Sequence, residues 1–387
     1  MKKAVGLSLS AIIALGLFAG CGTEITESES ADQNDDQQVT ASAADGENRS
    51  YSYDVDPADY EPIEPHKDLN QEPTPVKMER VGENEVNIEM TAQVTDIEIA
   101  PGLTYNTWNF NGEAPGPLLV VQEGDWINFT LHNLDPAIPH SMDFHAVHTD
   151  PVTGYADVEP DETGTFRFQA SNPGVFMYHC ATDPVLSHIA NGMHGTIIVM
   201  PEDGYPTDDE VDREFVIVQN EWYKYNDLEN MMNMPPRQVV FSAKTLEYMD
   251  DNEVDGEVDG YTFDGTNTNG TVQALTENDE ETVLYAKPGE KVRFYINNVG
   301  PNEVSSFHVI GSILDDVYID GNPENHMKGL QTVGLPASGG AVVEFELKEE
   351  GSYSFVTHQF DHVSKGAVGT IVVNESGGPE GGSMMSH

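Results

Sequence analysis

From about residue 80 onward the chain is dominated by short runs in which apolar and polar residues alternate. "VNIEMTAQVTDIEI", "DWINFTLHN", "TFRFQA", "GTIIVM", "KVRFYINN" and "VVEFELK" are each bounded by Gly, Pro or Asn. Alternation with a period of two puts every second side chain on one face, which is the signature of half-buried strands. No long stretch carries the spacing of an amphipathic helix, so the predicted class is all-β. The two halves also echo each other. "EGDWINFTLHNLDP" (Glu123 to Pro136) aligns with "PGEKVRFYINNVGP" (Pro288 to Pro301) at a constant step of 165 residues, and "GTIIV" from Gly195 answers "GTIVV" from Gly369. An internal repeat of this size predicts two similar β-sandwich domains, over 76–202 and 211–374.

The flanks read differently. Residues 1–20 open on MKK, run through an apolar stretch too short to span a bilayer, and end in small residues, the pattern of a secretory signal peptide. The sequence Phe18-Ala19-Gly20-Cys21 resembles a bacterial lipobox, which would leave Cys21 as a lipid-bearing first residue and the protein as an exported, membrane-anchored lipoprotein. Residues 21–75 are rich in Asp, Glu, Ser, Gln and Pro and too poor in aliphatics to offset their ordering entropy, so an acidic flexible tether is expected. A second loose segment is expected over 375–387.

Charge narrows the function further. With 67 acidic residues against 17 Lys plus Arg, the formal net charge is -50. Such a field repels phosphate backbones and excludes nucleic acid as a partner. It also strains the folded state by self-repulsion unless salt screens it, which suits a halophilic, saline exterior.

The chemistry is concentrated in "YHCATDPVLSHIANGM", Tyr178 to Met193. Only two cysteines occur in the chain; if Cys21 is lipidated, Cys180 has no disulfide partner and a metal is the natural occupant of its thiolate. Cys180, His188 and Met193, with His140 from "PHSMDFH", supply two imidazoles, one thiolate and one thioether. That set is the donor complement of a blue-copper electron-transfer centre. Zinc more often takes several cysteines in a closed tetrahedron.

His179 precedes Cys180 at a strand end, and adjacent strand residues face opposite ways. If Cys180 faces one metal, His179 faces away from it. Upstream, Asp143 and His145 share a parity that His140 lacks, so a second metal is expected on the face carrying His145, His179 and Asp143. The second domain offers His308 in "SSFHVIG" and His358 and His362 in "VTHQFDH"; the 165-residue step sets His308 on the position of Asp143. His66, His132, His194 and His326 have no evident partners and are expected to be solvated. Met231, Met232 and Met234 are expected to serve a turn or packing.

Over residues 80 to 374 these motifs resemble the copper-containing nitrite reductases, and "HIANGM", "SFHVIG" and the Cys180 to His188 step look most like the lipid-anchored branch of that family. The resemblance implies two tandem cupredoxin-like Greek-key β-sandwich domains in a homotrimer with two coppers per subunit. It implies a type 1 copper on His140, Cys180, His188 and Met193. A type 2 copper would be held by His145 and His179, with His358 from a neighbouring subunit. It further implies proton-handling roles for Asp143 and His308, nitrite as substrate, and a small electron donor such as a cytochrome c or a cupredoxin. A laccase-like oxidase would need His-x-His pairs and a His-Cys-His around the thiolate; no His-x-His occurs, and Ala181 follows Cys180. The alternative from another class is a non-catalytic copper-binding electron-transfer or copper-handling lipoprotein, which needs the Cys180 site but not Asp143, His308 or His358.

Overall fold

The computed structural model describes residues 63–100, 102–148, 154–224, 227–249 and 283–379, together with short strands at 40–42, 48–50 and 260–262. The expected signal peptide, Cys21 and most of the expected tether lie outside these residues.

Thr40–Ser42 (β1) pairs with Asn48–Ser50 (β2). The first sandwich opposes two sheets. One runs Lys77–Gly82 (β3), Glu85–Ala100 (β4), Trp126–Asn133 (β7) and Thr163–Gln169 (β9), with Leu103–Phe110 (β5) also paired to β4. The other orders Leu119–Gln122 (β6), His194–Met200 (β11), Gly174–His179 (β10) and Asp143–Phe144 (β8). Along β7 burial alternates as the sequence demands: Ile127, Phe129 and Leu131 enter the core while Trp126, Asn128 and Thr130 face outward. Between the sheets lies a core that includes Trp108, Phe129, Phe144, Cys180 and Met193. Two donors of the first candidate site are thus core residues, and the site inherits the rigidity of close packing.

The second sandwich follows the same plan. Arg213–Trp222 (β12), Gln238–Met249 (β13), Gly260–Thr262 (β14), Glu290–Asn298 (β16), Leu314–Ile319 (β18), His326–Leu330 (β19) and Gly340–Leu347 (β21) form a seven-stranded sheet, ordered β14-β13-β12-β16-β21-β18-β19. It faces Leu284–Ala286 (β15), Ser305–Val309 (β17), Val333–Leu335 (β20), Gly351–Thr357 (β22) and Val368–Val373 (β23), ordered β15-β23-β22-β17-β20. The short α-helices include Val185–Ala190 (α1), Leu228–Asn233 (α2) and Phe360–Val363 (α3).

The internal repeat appears in the register. β10 pairs β8 with His179 opposite Asp143, and β22 pairs β17 with Val356 opposite His308. Asp143 and His308 therefore occupy equivalent places in their sheets.

A third apolar cluster joins the sandwiches. Val175, Met177, Ile198 and Met200 of β10 and β11 pack on Val216, Val218, Tyr295, Tyr318 and Val342 of the seven-stranded sheet. Contact is close enough that a Cβ on Gly340 would meet the Val175 carbonyl oxygen at 2.1 Å. This packing explains a departure from simple alternation: β16 is buried on both faces, Phe294 pointing into its own sandwich and Tyr295 into the junction. Arg293, on the face that alternation assigns to solvent, is only 1% exposed. Its guanidinium meets Glu344 at 2.7 Å and Glu214 at 2.9 Å, since a charge so buried must be paired.

One expectation shifts at the start of the folded region. The end of the segment expected as a tether already lies against the first sandwich: Ile63 and Leu69 pack on its core, Gln71 N–H bonds the Val94 carbonyl at 2.9 Å, and Thr74 N–H bonds Asn111 at 3.1 Å. The few apolar residues there, Ile63 and Leu69, suffice as anchors because the sandwich edge supplies the acceptors that a free chain lacks.

Candidate metal centres

Three donor atoms converge beneath the end of β10. His140 Nδ1 and His188 Nδ1 are 3.3 Å apart, and Cys180 Sγ lies 3.4 Å from His188 Nδ1 and 4.0 Å from His140 Nδ1. All three residues are buried. His140 is held from behind, its Nε2–H donating to the buried Asp135 carboxylate at 3.1 Å, which leaves Nδ1 as the lone-pair nitrogen. Burial lowers the His188 pKa to about 4, so its imidazole is neutral near pH 7 and able to coordinate. Burial pushes the Cys180 thiol up, but the neighbouring His140 and the Ser141 backbone N–H outweigh it and bring the thiol below its ordinary value.

The loop from Cys180 to Met193 closes on itself. Helix α1 carries His188, and after Ala190 the chain turns through Gly192 at φ 115°, where a Cβ would strike the Trp108 carbonyl oxygen at 2.7 Å. Only glycine fits such an approach. The turn lets Cys180 N–H bond the Met193 carbonyl at 3.1 Å and buries Met193 completely in the same core. Two imidazole nitrogens, one thiolate and a neighbouring thioether suit copper in both oxidation states.

A second cluster sits on the other side of the same strand end. His145 Nε2 and His179 Nε2 are 3.0 Å apart, and Asp143 Oδ2 lies 3.5 Å from His179 Nε2 and 3.9 Å from His145 Nε2. His179 donates Nδ1–H to the Cys180 carbonyl at 2.8 Å, which fixes its tautomer and turns Nε2 outward. Burial and the facing His179 keep the His145 pKa below its usual value, against the opposing pull of Asp143. Two imidazoles and a carboxylate could hold a divalent ion with coordination positions to spare.

His308 and His358 stand apart from both clusters, side by side on the second sandwich with ring centres 5.7 Å apart. His358 is exposed and its ring meets Phe360, itself 55% exposed; Ile310, two residues beyond His308, is 46% exposed. His308 Nδ1–H donates to the Gln331 carbonyl at 2.5 Å. His362 is buried, with Nε2 3.6 Å from Glu303, which removes it as a surface ligand.

Three histidines expected to be solvated and unpartnered are not, among them the half-buried His132, whose Nδ1 is 2.9 Å from Thr163 Oγ1. His194 is fully buried, with Nδ1–H bonded to the Ile189 carbonyl at 2.9 Å and Nε2 3.4 Å from Asn220 Nδ2; a lone histidine next to Met193 gives no hint of an acceptor that the loop alone creates. His326 pairs with Asp316 at 2.7 Å and stacks on Tyr318, a partnership made by the β18–β19 register. Met231 is packed with Ala190 and Tyr223, whereas Met232 and Met234 are exposed. Sequence reasoning missed Asp135, Ser141 and Trp108, the last stacked on His188 at 4.9 Å. Asp135, five residues before His140, was the one with a readable signal.

Two tandem sandwiches with a histidine–cysteine cluster in the first define a two-domain copper protein of the cupredoxin type. Residues 91–204 match a family model described as multicopper oxidase. The copper-containing nitrite reductase of Neisseria meningitidis serogroup A is 38% identical over 299 residues, 76% of this chain and 71% of the relative. The one from Pseudomonas chlororaphis is 30% identical over 80% of this chain and 82% of its own length. The solved copper nitrite reductase of Nitrosomonas europaea superposes with a TM-score of 0.65 at 36% identity, covering 77% of this chain and 97% of that one. The chain belongs to the copper-containing nitrite reductase family.

Proposed function

We propose that this protein reduces nitrite to nitric oxide and water, consuming one electron and two protons. The reading rests most on one observation: consecutive residues, Cys180 and His179, reach two separate donor clusters on opposite sides of one strand end. In this reading His140, Cys180, His188 and Met193 hold a type 1 copper. His145 and His179, completed by His358 of a neighbouring copy, hold a type 2 copper. Copper supplies a one-electron couple at the first site and, at the second, a positively charged position open to an exchangeable anion.

The remaining work falls to the chain itself. The Cys180–His179 peptide, reinforced by the imidazole hydrogen bond to the Cys180 carbonyl, is a short covalent path between the clusters. Asp143, paired opposite His179 in the sheet, is positioned to hold a proton beside the anion and to orient it. His308, with Nδ1–H committed to Gln331, has Nε2 available for the second proton. Imidazole ligands carry no negative charge, so an ion held by these three would keep its own and attract nitrite locally despite the acidic surface.

The exposed His358 and half-buried His308, flanked by exposed Phe360 and Ile310, support a ring of three copies in which this surface closes over His145 and His179 of the next chain. Anaerobic turnover of nitrite with a reduced donor, on protein of measured copper content, tests the reading; nitric oxide from a two-copper subunit is expected, and an unreactive one-copper subunit would refute it. Replacing Asp143 with Asn should lower turnover by about 10²- to 10⁴-fold with both coppers retained. An unchanged rate would remove Asp143 from proton handling.

The electron donor in this reading is a small cytochrome c or cupredoxin with a basic docking face. Export and lipidation at Cys21 are part of the same proposal: Cys21→Ser should move the protein from the membrane fraction to the medium. Continued retention on membranes would argue against the anchor.

A further inference from the structure

Behind His140 lies a carboxylate that the proposed reaction does not use. Asp135 has no solvent exposure, and each of its oxygens faces an N–H donor: Oδ1 accepts from Ala137 N–H at 2.8 Å, and Oδ2 from His140 Nε2–H at 3.1 Å. Two oxygens that only accept are those of an ionised group. Burying such a charge is costly even when it is paired, so stability alone is a weak reason for keeping it.

The loop fixes the carboxylate and the imidazole to one frame. Asn133 Oδ1 accepts the Asp135 N–H at 3.0 Å, while Asn133 Nδ2 donates to the Ile138 and Val158 carbonyls at 2.9 and 2.8 Å. Gln71 Nε2 donates to the Leu134 carbonyl at 2.8 Å. Val158 in turn exchanges both backbone bonds with His140, at 2.8 and 3.1 Å. With Nε2–H given to Asp135, His140 Nδ1 is the nitrogen that faces Cys180 Sγ and His188 Nδ1. The Asp135 charge is felt beyond His140 as well: burial lowers the His188 pKa, and Asp135 leads the charges that oppose this, ahead of the exposed Asp183.

A carboxylate on the far nitrogen makes an imidazole a stronger ligand, and its negative charge favours the more highly charged state of the metal. Copper(II) gains more than copper(I) on both counts. We infer that Asp135 is a positioning residue that holds copper(II) through His140 and thereby lowers the reduction potential of the first site, adding driving force for passing the electron to the second cluster. The inference rests on the assignment of a type 1 copper to His140, Cys180, His188 and Met193.

Redox titration of the copper-loaded full-length protein, followed by its thiolate-to-copper absorption band, reads the potential, and competition with chelators reads the affinity for copper(I) and copper(II) separately. Asp135→Asn keeps the shape and removes the charge. It should raise the potential and lower copper(II) affinity by about 10- to 100-fold, with copper(I) affinity changed less. A purely structural role would weaken both states alike and leave the potential in place, because the potential reports only their ratio. Asp183→Asn removes a charge that water already screens and should shift the potential less. If Asp135→Asn does not fold, Asp135→Ser carries the same expectation. A potential equal to or below the parent's, an equal loss of both copper states, or an equal shift from Asp183→Asn overturns the inference. Absence of the band from the parent protein would overturn the type 1 assignment instead.

Discussion

Replacing Cys180 with alanine is expected to abolish the intense visible absorption of the protein and to cut donor-driven nitrite turnover by about 10³-fold or more, the scale seen when one member of a catalytic unit is removed. The argument is geometric. Cys180 Sγ is the only sulfur within 4.0 Å of both His140 Nδ1 and His188 Nδ1 among the described contacts, and the charge-transfer colour of such a site belongs to its thiolate. Removing it leaves two imidazoles and a thioether, a set that does not hold copper in a rapidly exchanging couple. His145 and His179 are untouched, and the His179 Nδ1–H bond goes to the backbone carbonyl of residue 180, which alanine retains. The second copper should therefore remain visible by spin resonance and should bind nitrite without reducing it. Optical spectra, copper content and turnover decide the matter; a variant that keeps its colour would show that the first site has been assigned to the wrong residues.

The features that sequence made legible were those with a short-range rule behind them. Strand alternation located β7 and β16, and residue parity separated His179 from Cys180, because both follow from the two-residue period of a strand. The 165-residue repeat placed His308 on Asp143, and the sheet registers agree. What sequence did not carry was created by packing between distant segments. Arg293 reads as the exposed residue of an alternating strand until the first sandwich covers that face and Glu344 and Glu214 arrive to neutralise it. Asp135 becomes the partner of His140, and Trp108 its stacked neighbour's wall, only once loop and sandwich close on one another. His194 reads as a surface residue, yet it ties α1 to β12 through Ile189 and Asn220.

The second large effect concerns His358. His358→Ala should empty the second site while leaving the first fully coloured, with turnover lost to a similar degree. Within one chain His145 and His179 face each other at 3.0 Å, yet no third histidine joins them among the described residues; the third imidazole must come from elsewhere if the site is to bind copper tightly. His358 is exposed beside an exposed Phe360, an arrangement unfavourable in a lone subunit and reasonable at an interface. Mixing two inactive variants separates an intersubunit site from an intrachain one. His179→Ala chains keep His358, and His358→Ala chains keep His179. In a closed ring assembled from equal amounts of the two, about one interface in four pairs an intact His179 with an intact His358, so activity and second-site copper should reappear in that proportion. Were the site contained within one chain, every subunit of the mixture would carry a broken site and none of the activity would return.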